Sequence, residues 1–158
     1  MKIIIIIFTL SISINNSYAS EVKIVDGDTI NLNGDKIRFS GIDAPESFYK
    51  GREQLCLKKK IIIRCGKLSK DFLIKIIGKN TVTCEKEKKP DKYNRILAEC
   101  FVKGQSLSKA LVKNGFAFDY PKYSKKKYSK FQKYAKKNKL GLWDMEFKFP
   151  WDFRREIR

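Results

Sequence analysis

Asp28, Arg38, Asp43, Glu46 and Arg95 are the residues of this sequence whose types and settings could do chemistry together. Asp28 sits in Val25-Asp26-Gly27-Asp28-Thr29. Asp43 and Glu46 fall in Gly41-Ile42-Asp43-Ala44-Pro45-Glu46, shortly after Arg38, and Arg95 follows Asp91-Lys92-Tyr93-Asn94. Singly, each is an ordinary turn or surface charge. As a set they suit the cleavage of a phosphodiester. Hard carboxylate oxygens such as those of Asp28 and Asp43, joined by the backbone carbonyl of Ala44, match Ca2+, which accepts irregular shells of roughly six to eight oxygens. The guanidinium forks of Arg38 and Arg95 match phosphoryl oxygens two at a time and stay charged at any relevant pH. Glu46 is then the group that activates or orients the attacking water.

Composition narrows the alternatives. The 158 residues contain no histidine, which removes Ser-His-Asp triads, Cys-His pairs, HEXXH zinc sites and haem-binding His. Hydrolysis must therefore use carboxylates, Lys, Tyr or metal-bound water. There are 35 Lys+Arg against 17 Asp+Glu, a formal net charge of +18, which favours a polyanionic partner. Lys accounts for most of that excess, and a Lys, Ile and Asn bias can reflect base composition as well as binding. Hydrophobic content of 42% is enough for a packed core.

The elements that must carry these residues follow from patterning. Glu21–Leu32 alternates apolar and polar residues around the Asp26-Gly27-Asp28 turn, and Lys36–Ile42 is a second strand candidate after an Asn33-Gly34-Asp35 hairpin turn. Leu68, Phe72, Leu73, Ile76 and Ile77 have helical spacing, with Gly78 as the stop. Thr81–Glu85 and Arg95–Val102 read as a strand pair. Leu107, Ala110 and Leu111 mark a short helix ending at Asn114-Gly115. Ser124 reads as the N-cap of a third helix carrying Tyr128, Phe131 and Ala135, which Gly141 ends. The order of strands, helix, strands and helices predicts one α+β domain, a small curved sheet closed by helices.

Met1–Ala19 reads as a secretory signal peptide. Lys2 is followed by the apolar run Ile3–Leu10, and Ser17-Tyr18-Ala19 places small residues where a signal peptidase cuts. The run is shorter than the ~20 apolar residues of a membrane span. The expected organisation is thus a leader over residues 1–19 and a single domain over 20–158. The expected product is a secreted or periplasmic monomer with no stable membrane insertion. Four cysteines in an exported chain predict disulfides, with three possible pairings. Folding the Thr81–Val102 hairpin about Lys92 sets Cys84 opposite Cys100, within bridging distance, and leaves Cys56 with Cys65.

With these residues in view, the chain resembles the staphylococcal-nuclease (thermonuclease) family. Val25-Asp26-Gly27-Asp28-Thr29, the Arg38–Glu46 segment and Asp91–Cys100 are similar to three signature blocks of that family. Ser106–Phe118, Asn138–Trp143 and the Phe149–Arg155 tail match it in character and order. The resemblance implies an OB-fold, a five-stranded barrel with about three helices. It also implies a Ca2+-dependent nuclease acting on DNA and RNA and leaving 3′-phosphate ends. By the same resemblance Asp28, Asp43 and the Ala44 carbonyl are metal ligands, Arg38, Glu46 and Arg95 the catalytic trio, and Tyr93 a substrate contact. Tyr120 or Tyr123 is placed to join Tyr93 in stacking a base. Ala44 stands where some members have Thr, and Asn94 where Gly is more usual. Asn tolerates the left-handed conformation such a turn needs. Trp143, Trp151 and Phe153 read as packing residues rather than ligand contacts. The alternative function is a non-catalytic nucleic-acid-binding module on the same fold; an exported basic protein that binds anionic surfaces by charge ranks below it.

Overall fold

The computed structural model describes residues 21–157, so the expected leader lies outside the described residues. The fold is mixed α+β and mostly sheet, with ten strands and five α-helices among the described residues. Five strands form one path. β1 (Val22–Asp26), β2 (Thr29–Leu32) and β3 (Asp35–Phe39) make an antiparallel meander. β3 then runs parallel to β8 (Ile96–Val102), which pairs antiparallel with β7 (Val82–Lys86). This is the expected OB-like strand set, although strand pairing among the described residues does not close it into a barrel. Short β9 (Gln105–Ser106) folds back to pair antiparallel with β8, and β4 (Ile42–Asp43) pairs with β10 (Phe118–Asp119).

Turn chemistry sets the register. Asn33 and Gly34 both have positive φ, so Leu32 faces Asp35 across a two-residue turn, and Arg38 is brought opposite Thr29. The hairpin of β7 and β8 places Cys84 opposite Cys100 with a Cα–Cα distance of 4.1 Å, and the two are bonded. Cys56 and Cys65 form the second disulfide.

The core is in two parts. The larger packs Ile30, Ile37, Phe39, Ala98 and Val102 of the sheet against Leu73 and Ile77 of α1 (Cys65–Ile77), and against Leu107, Leu111 and Val112 of α2 (Leu107–Lys113). The Ser106 hydroxyl caps α2 by accepting from the Lys109 amide at 3.0 Å. The smaller part gathers the Cys56–Cys65 disulfide, Phe118 and Leu142 with Trp143, Met145, Phe147, Phe149 and Trp151.

Three local expectations change. Ser124 does not cap a long helix. It ends the short α3 (Pro121–Ser124), because Lys125 and Lys126 turn left-handed, and its hydroxyl accepts from the Lys126 amide at 2.9 Å. The following helix, α4, runs Ser129–Lys137, and Gly141 opens a 3-10 turn over Gly141–Asp144 instead of ending that helix. α1 begins at Cys65, ahead of its apolar stripe. A hairpin of β5 (Leu55–Lys58) and β6 (Ile61–Arg64), reversed through left-handed Lys59 and Lys60, precedes it. Finally, Pro150–Glu156 forms α5, with Pro150 opening the helix.

No helix among the described residues is long and apolar enough to cross a membrane. Cys100 is fully buried and the Cys84–Cys100 bridge spans 16 positions of chain. Replacing both residues with Ala should lower the unfolding free energy by about 3 kcal/mol, measured by guanidinium denaturation. An unchanged midpoint would show that the bridge adds nothing to the hairpin.

Candidate active site

The site is assembled by register before any side chain meets another. Asp28 ends the β1–β2 turn, and the pairing of Thr29 with Arg38 puts the Arg38 side chain beside it. The Asp28 carbonyl accepts from the Phe39 amide at 2.9 Å, fixing the turn to β3. Asp43 lies on β4, which is fixed by pairing with Phe118. Gly27 is needed for close approach rather than for an unusual φ. A Cβ there would lie 2.7 Å from the Ser69 Cβ of α1 and 2.9 Å from the Ala44 Cβ.

Asp28 is buried and Asp43 wholly so. Buried carboxylates need partners, because leaving one uncompensated costs several kcal/mol. Arg38 supplies the first. Its guanidinium bridges the two aspartates, pairing with Asp28 through Nη1 and with Asp43 Oδ1 through Nη2 at 2.6 Å. Asp28 also accepts from the Ala44 amide at 2.6 Å and from the Thr29 hydroxyl at 3.0 Å. Burial lowers the pKa of Arg38, with Asp43 opposing that shift and the nearby Arg95 and Arg154 guanidinia adding to it. It nonetheless stays a cation across the physiological range.

Glu46 is placed by a tethered loop. Its amide donates to Gln54 Oε1 at 3.1 Å, and the neighbouring Ser47 hydroxyl donates to Asp26 Oδ1 at 2.7 Å. Gly66, in the first turn of α1, packs directly on the Glu46 carbonyl, where any Cβ would collide with backbone. Burial pushes the Glu46 carboxyl above its ordinary pKa, and a hydrogen bond from Arg154 of α5 opposes that.

Arg154 was not among the residues singled out from the sequence. Its Nη2 donates to Asp43 Oδ2 at 2.6 Å and its Nη1 to Asp43 Oδ1 at 3.1 Å, while Nη1 also pairs with Glu46. Burial works to lower its pKa, but Asp43 and Glu46 outweigh that and raise it. The sequence signal was weak: an Arg-Arg pair after Pro150-Trp151, more than a hundred positions from its partners. Gln54 and Asp26 were also missed, and both hold the Glu46 loop from a distance.

Arg95 stands apart from the carboxylate cluster. Its Nε and Nη2 bond Asp91 Oδ2 at 2.7 and 2.6 Å, and its guanidinium lies 5.4 Å from the Tyr93 ring centre. Asn94 is left-handed at φ 58°, so the turn before Arg95 forms without Gly. Burial would raise the pKa of Asp91, but the amides of Arg95 and Tyr93 and the Arg95 guanidinium hold it below the usual carboxylate range. Tyr93 is 64% exposed and Tyr123 61%, so both present free ring surface. Tyr120 is already stacked on Trp151 with ring centres 5.1 Å apart. Trp143 and Trp151 pack in the smaller core, as expected.

Among the described residues, no three His, Cys, Asp or Glu side chains converge to enclose an ion by themselves. The donor set still fits a hard divalent cation. Two carboxylates share a single guanidinium fork, so a positive charge is already held between them, and both offer oxygen donors with a backbone segment at Ala44 alongside.

The sequence matches the family described as Staphylococcal nuclease homologue over residues 36–145, and the chain belongs to it. That match includes Arg38, Asp43, Ala44, Glu46 and Arg95, whereas Asp28 and Arg154 lie outside it. The chain is 33% identical over 150 residues to the endonuclease YhcR of Bacillus subtilis, covering 84% of this chain and 12% of that protein. It is 32% identical over 126 residues to the succinoglycan biosynthesis protein ExoI of Rhizobium meliloti, covering 78% of this chain and 63% of that protein. An uncharacterized endonuclease of Haemophilus influenzae is 31% identical over 128 residues, covering 77% of this chain and 64% of that protein. The chain thus spans less than two thirds of each of these relatives.

Gly66→Ala should displace the Glu46 segment or the start of α1, because the collision is with backbone. A loss of about 1–3 kcal/mol of stability is expected, read as a lowered thermal midpoint. An unchanged midpoint would show that the loop yields freely.

Proposed function

We propose that this protein is a Ca2+-dependent nuclease that hydrolyses DNA and RNA to 3′-phosphate products. The observation that carries the proposal is the bridging of buried Asp28 and Asp43 by Arg38, with Glu46 held alongside. Membership of the family, and relatives named as endonucleases, support it.

In this reading Asp28, Asp43 and the Ala44 carbonyl hold the calcium. When bound, the ion supplies positive charge against the phosphoryl oxygens in the transition state. Arg38 and Arg95 bind those oxygens as forks once each exchanges its carboxylate partners for phosphate, Asp28 and Asp43 in the case of Arg38 and Asp91 in the case of Arg95. Glu46 accepts a proton from the attacking water, whose oxygen bonds to phosphorus as the bond to the 5′-oxygen breaks. The departing 5′-oxygen takes up a proton from solvent water, and Glu46 returns its proton to solvent. Tyr93 stacks a base, with Tyr123 a better second platform than Tyr120, whose face is taken by Trp151. The lysine excess holds the nucleic-acid backbone in a sequence-independent and salt-sensitive manner. Residues 1–19 act as a cleaved leader and residues 20–158 as the working, monomeric domain. Delivery to the periplasm or the exterior agrees with the two disulfides.

The purified protein should digest single-stranded DNA with Ca2+ and stop when a chelator is added. Digestion that persists in chelator would overturn the metal role, and tight binding without cleavage under any divalent ion would favour the non-catalytic module. Glu46→Gln should lower kcat by roughly 10²–10⁴-fold; unchanged turnover would remove Glu46 from proton transfer.

A further inference from the structure

We propose that Arg154 is a positioning residue of this site, the resident counter-cation of Asp43 and Glu46, and that a divalent cation must displace it from Asp43 to bind. The proposal rests on the calcium-nuclease reading and adds to it a residue from the far end of the chain.

The contact is specific. Both terminal nitrogens of Arg154 meet both carboxylate oxygens of Asp43, at 3.1 and 2.6 Å, and Nη1 also reaches Glu46. Only a guanidinium can span two carboxylates in this way. Next to it, Arg155 turns outward, is 71% exposed at its side chain and, among the described residues, pairs only with Asp152 of its own helix. An exposed pair such as Arg155–Asp152 contributes little. Arg154 instead faces a carboxylate with no solvent exposure, where the partner charge cannot be dispensed with.

The tail is also built to hold Arg154 there. Buried Gln54 uses one side-chain amide for two tasks: Oε1 accepts from the Glu46 amide at 3.1 Å, and Nε2 donates to the Lys148 carbonyl at 2.7 Å. The segment entering α5 is therefore tied to the same loop that presents Glu46. Trp151 stacks on Phe149 with ring centres 4.6 Å apart and on Tyr120 at 5.1 Å, fixing the first turn of α5. Glu146 exchanges backbone hydrogen bonds with Leu57, each 2.9 Å long.

Two consequences follow from charge and geometry. Arg38 holds Asp43 Oδ1 and Arg154 reaches both oxygens, so a metal ion can take Asp43 through Oδ2 only as Arg154 withdraws, and the two cations compete for it. Glu46 relies on Arg154 for its side-chain partner, so losing Arg154 frees the carboxylate to wander. A tail that merely packed would lower stability when altered but would leave a folded variant's metal affinity unchanged.

The experiment compares the full chain with Arg154→Gln, Arg154→Lys and Arg155→Gln, by calorimetric Ca2+ titration without substrate and by turnover at saturating Ca2+ and DNA. Arg154→Gln is expected to bind Ca2+ roughly tenfold tighter, since one positive charge leaves the cradle, yet to lose roughly 10–100-fold in kcat through misplacement of Glu46. Arg155→Gln is expected to match wild type in both. Unchanged or weaker Ca2+ binding by folded Arg154→Gln, or an unchanged kcat, would overturn the proposal. If that variant does not fold, Arg154→Lys decides. It keeps the charge and loses the fork, so its Ca2+ affinity should stay within about threefold of wild type while kcat falls; an unchanged kcat would overturn the positioning role. A wild-type chain that neither binds Ca2+ nor cleaves DNA would instead sink the nuclease reading, and this inference with it.

Discussion

The structure turns on a carboxylate that has no access to water. Asp43 sits wholly buried on a two-residue strand, beside buried Asp28 and partly buried Glu46. Such buried and partly buried acidic groups could not stay charged in a protein interior without cations among them. Arg38 on β3 and Arg154 on α5 provide those cations, one from each side of Asp43. The surrounding features serve to keep these groups in register. Arg38 is fixed by strand pairing with Thr29, Asp28 by the Ala44 amide and Glu46 by Gln54. A protein whose acidic cluster is held by guanidinia at rest has a site preorganised for positive charge, and this is also what a phosphodiester reaction draws on.

The second core makes that arrangement possible. The larger core joins the sheet to α1 and α2 without α5, and the smaller, aromatic core is what aims Arg154. Phe118 on β10 faces both the Asp43 strand and the aromatic tail, stacking on Phe147 with ring centres 4.9 Å apart and meeting Phe149 edge-on at 5.0 Å. The Cys56–Cys65 disulfide lies in the same cluster, next to Gln54. Thus one apolar cluster braces the back of Asp43, while the residues around it carry both the Glu46 tether and the helix that bears Arg154.

Much of this was legible in the sequence wherever partners are near in the chain or turn residues fix a register. Asn33-Gly34 specifies a two-residue hairpin, which alone determines that Arg38 falls beside Asp28. The spacing of Cys84 and Cys100 about Lys92 found their pairing. Legibility failed where Lys took the left-handed positions usually held by Gly or Asn. Lys59-Lys60 and Lys125-Lys126 close turns that carry no ordinary turn signal, so the β5–β6 hairpin was missed and Ser124 was misplaced as a helix cap. It failed again for Arg154 and Gln54, because their roles depend on tertiary packing between distant segments and no local pattern encodes that.

The distance along the chain between the acidic residues and Arg154 also bears on how the protein is made. Arg154 follows Glu46 by 108 positions, so a growing chain carries Asp28, Asp43 and Glu46 through that interval without the second counter-charge. The acidic cluster is therefore fully paired only once α5 has docked. A site assembled only when α5 docks passes through an interval in which its carboxylates are present but not yet fully paired.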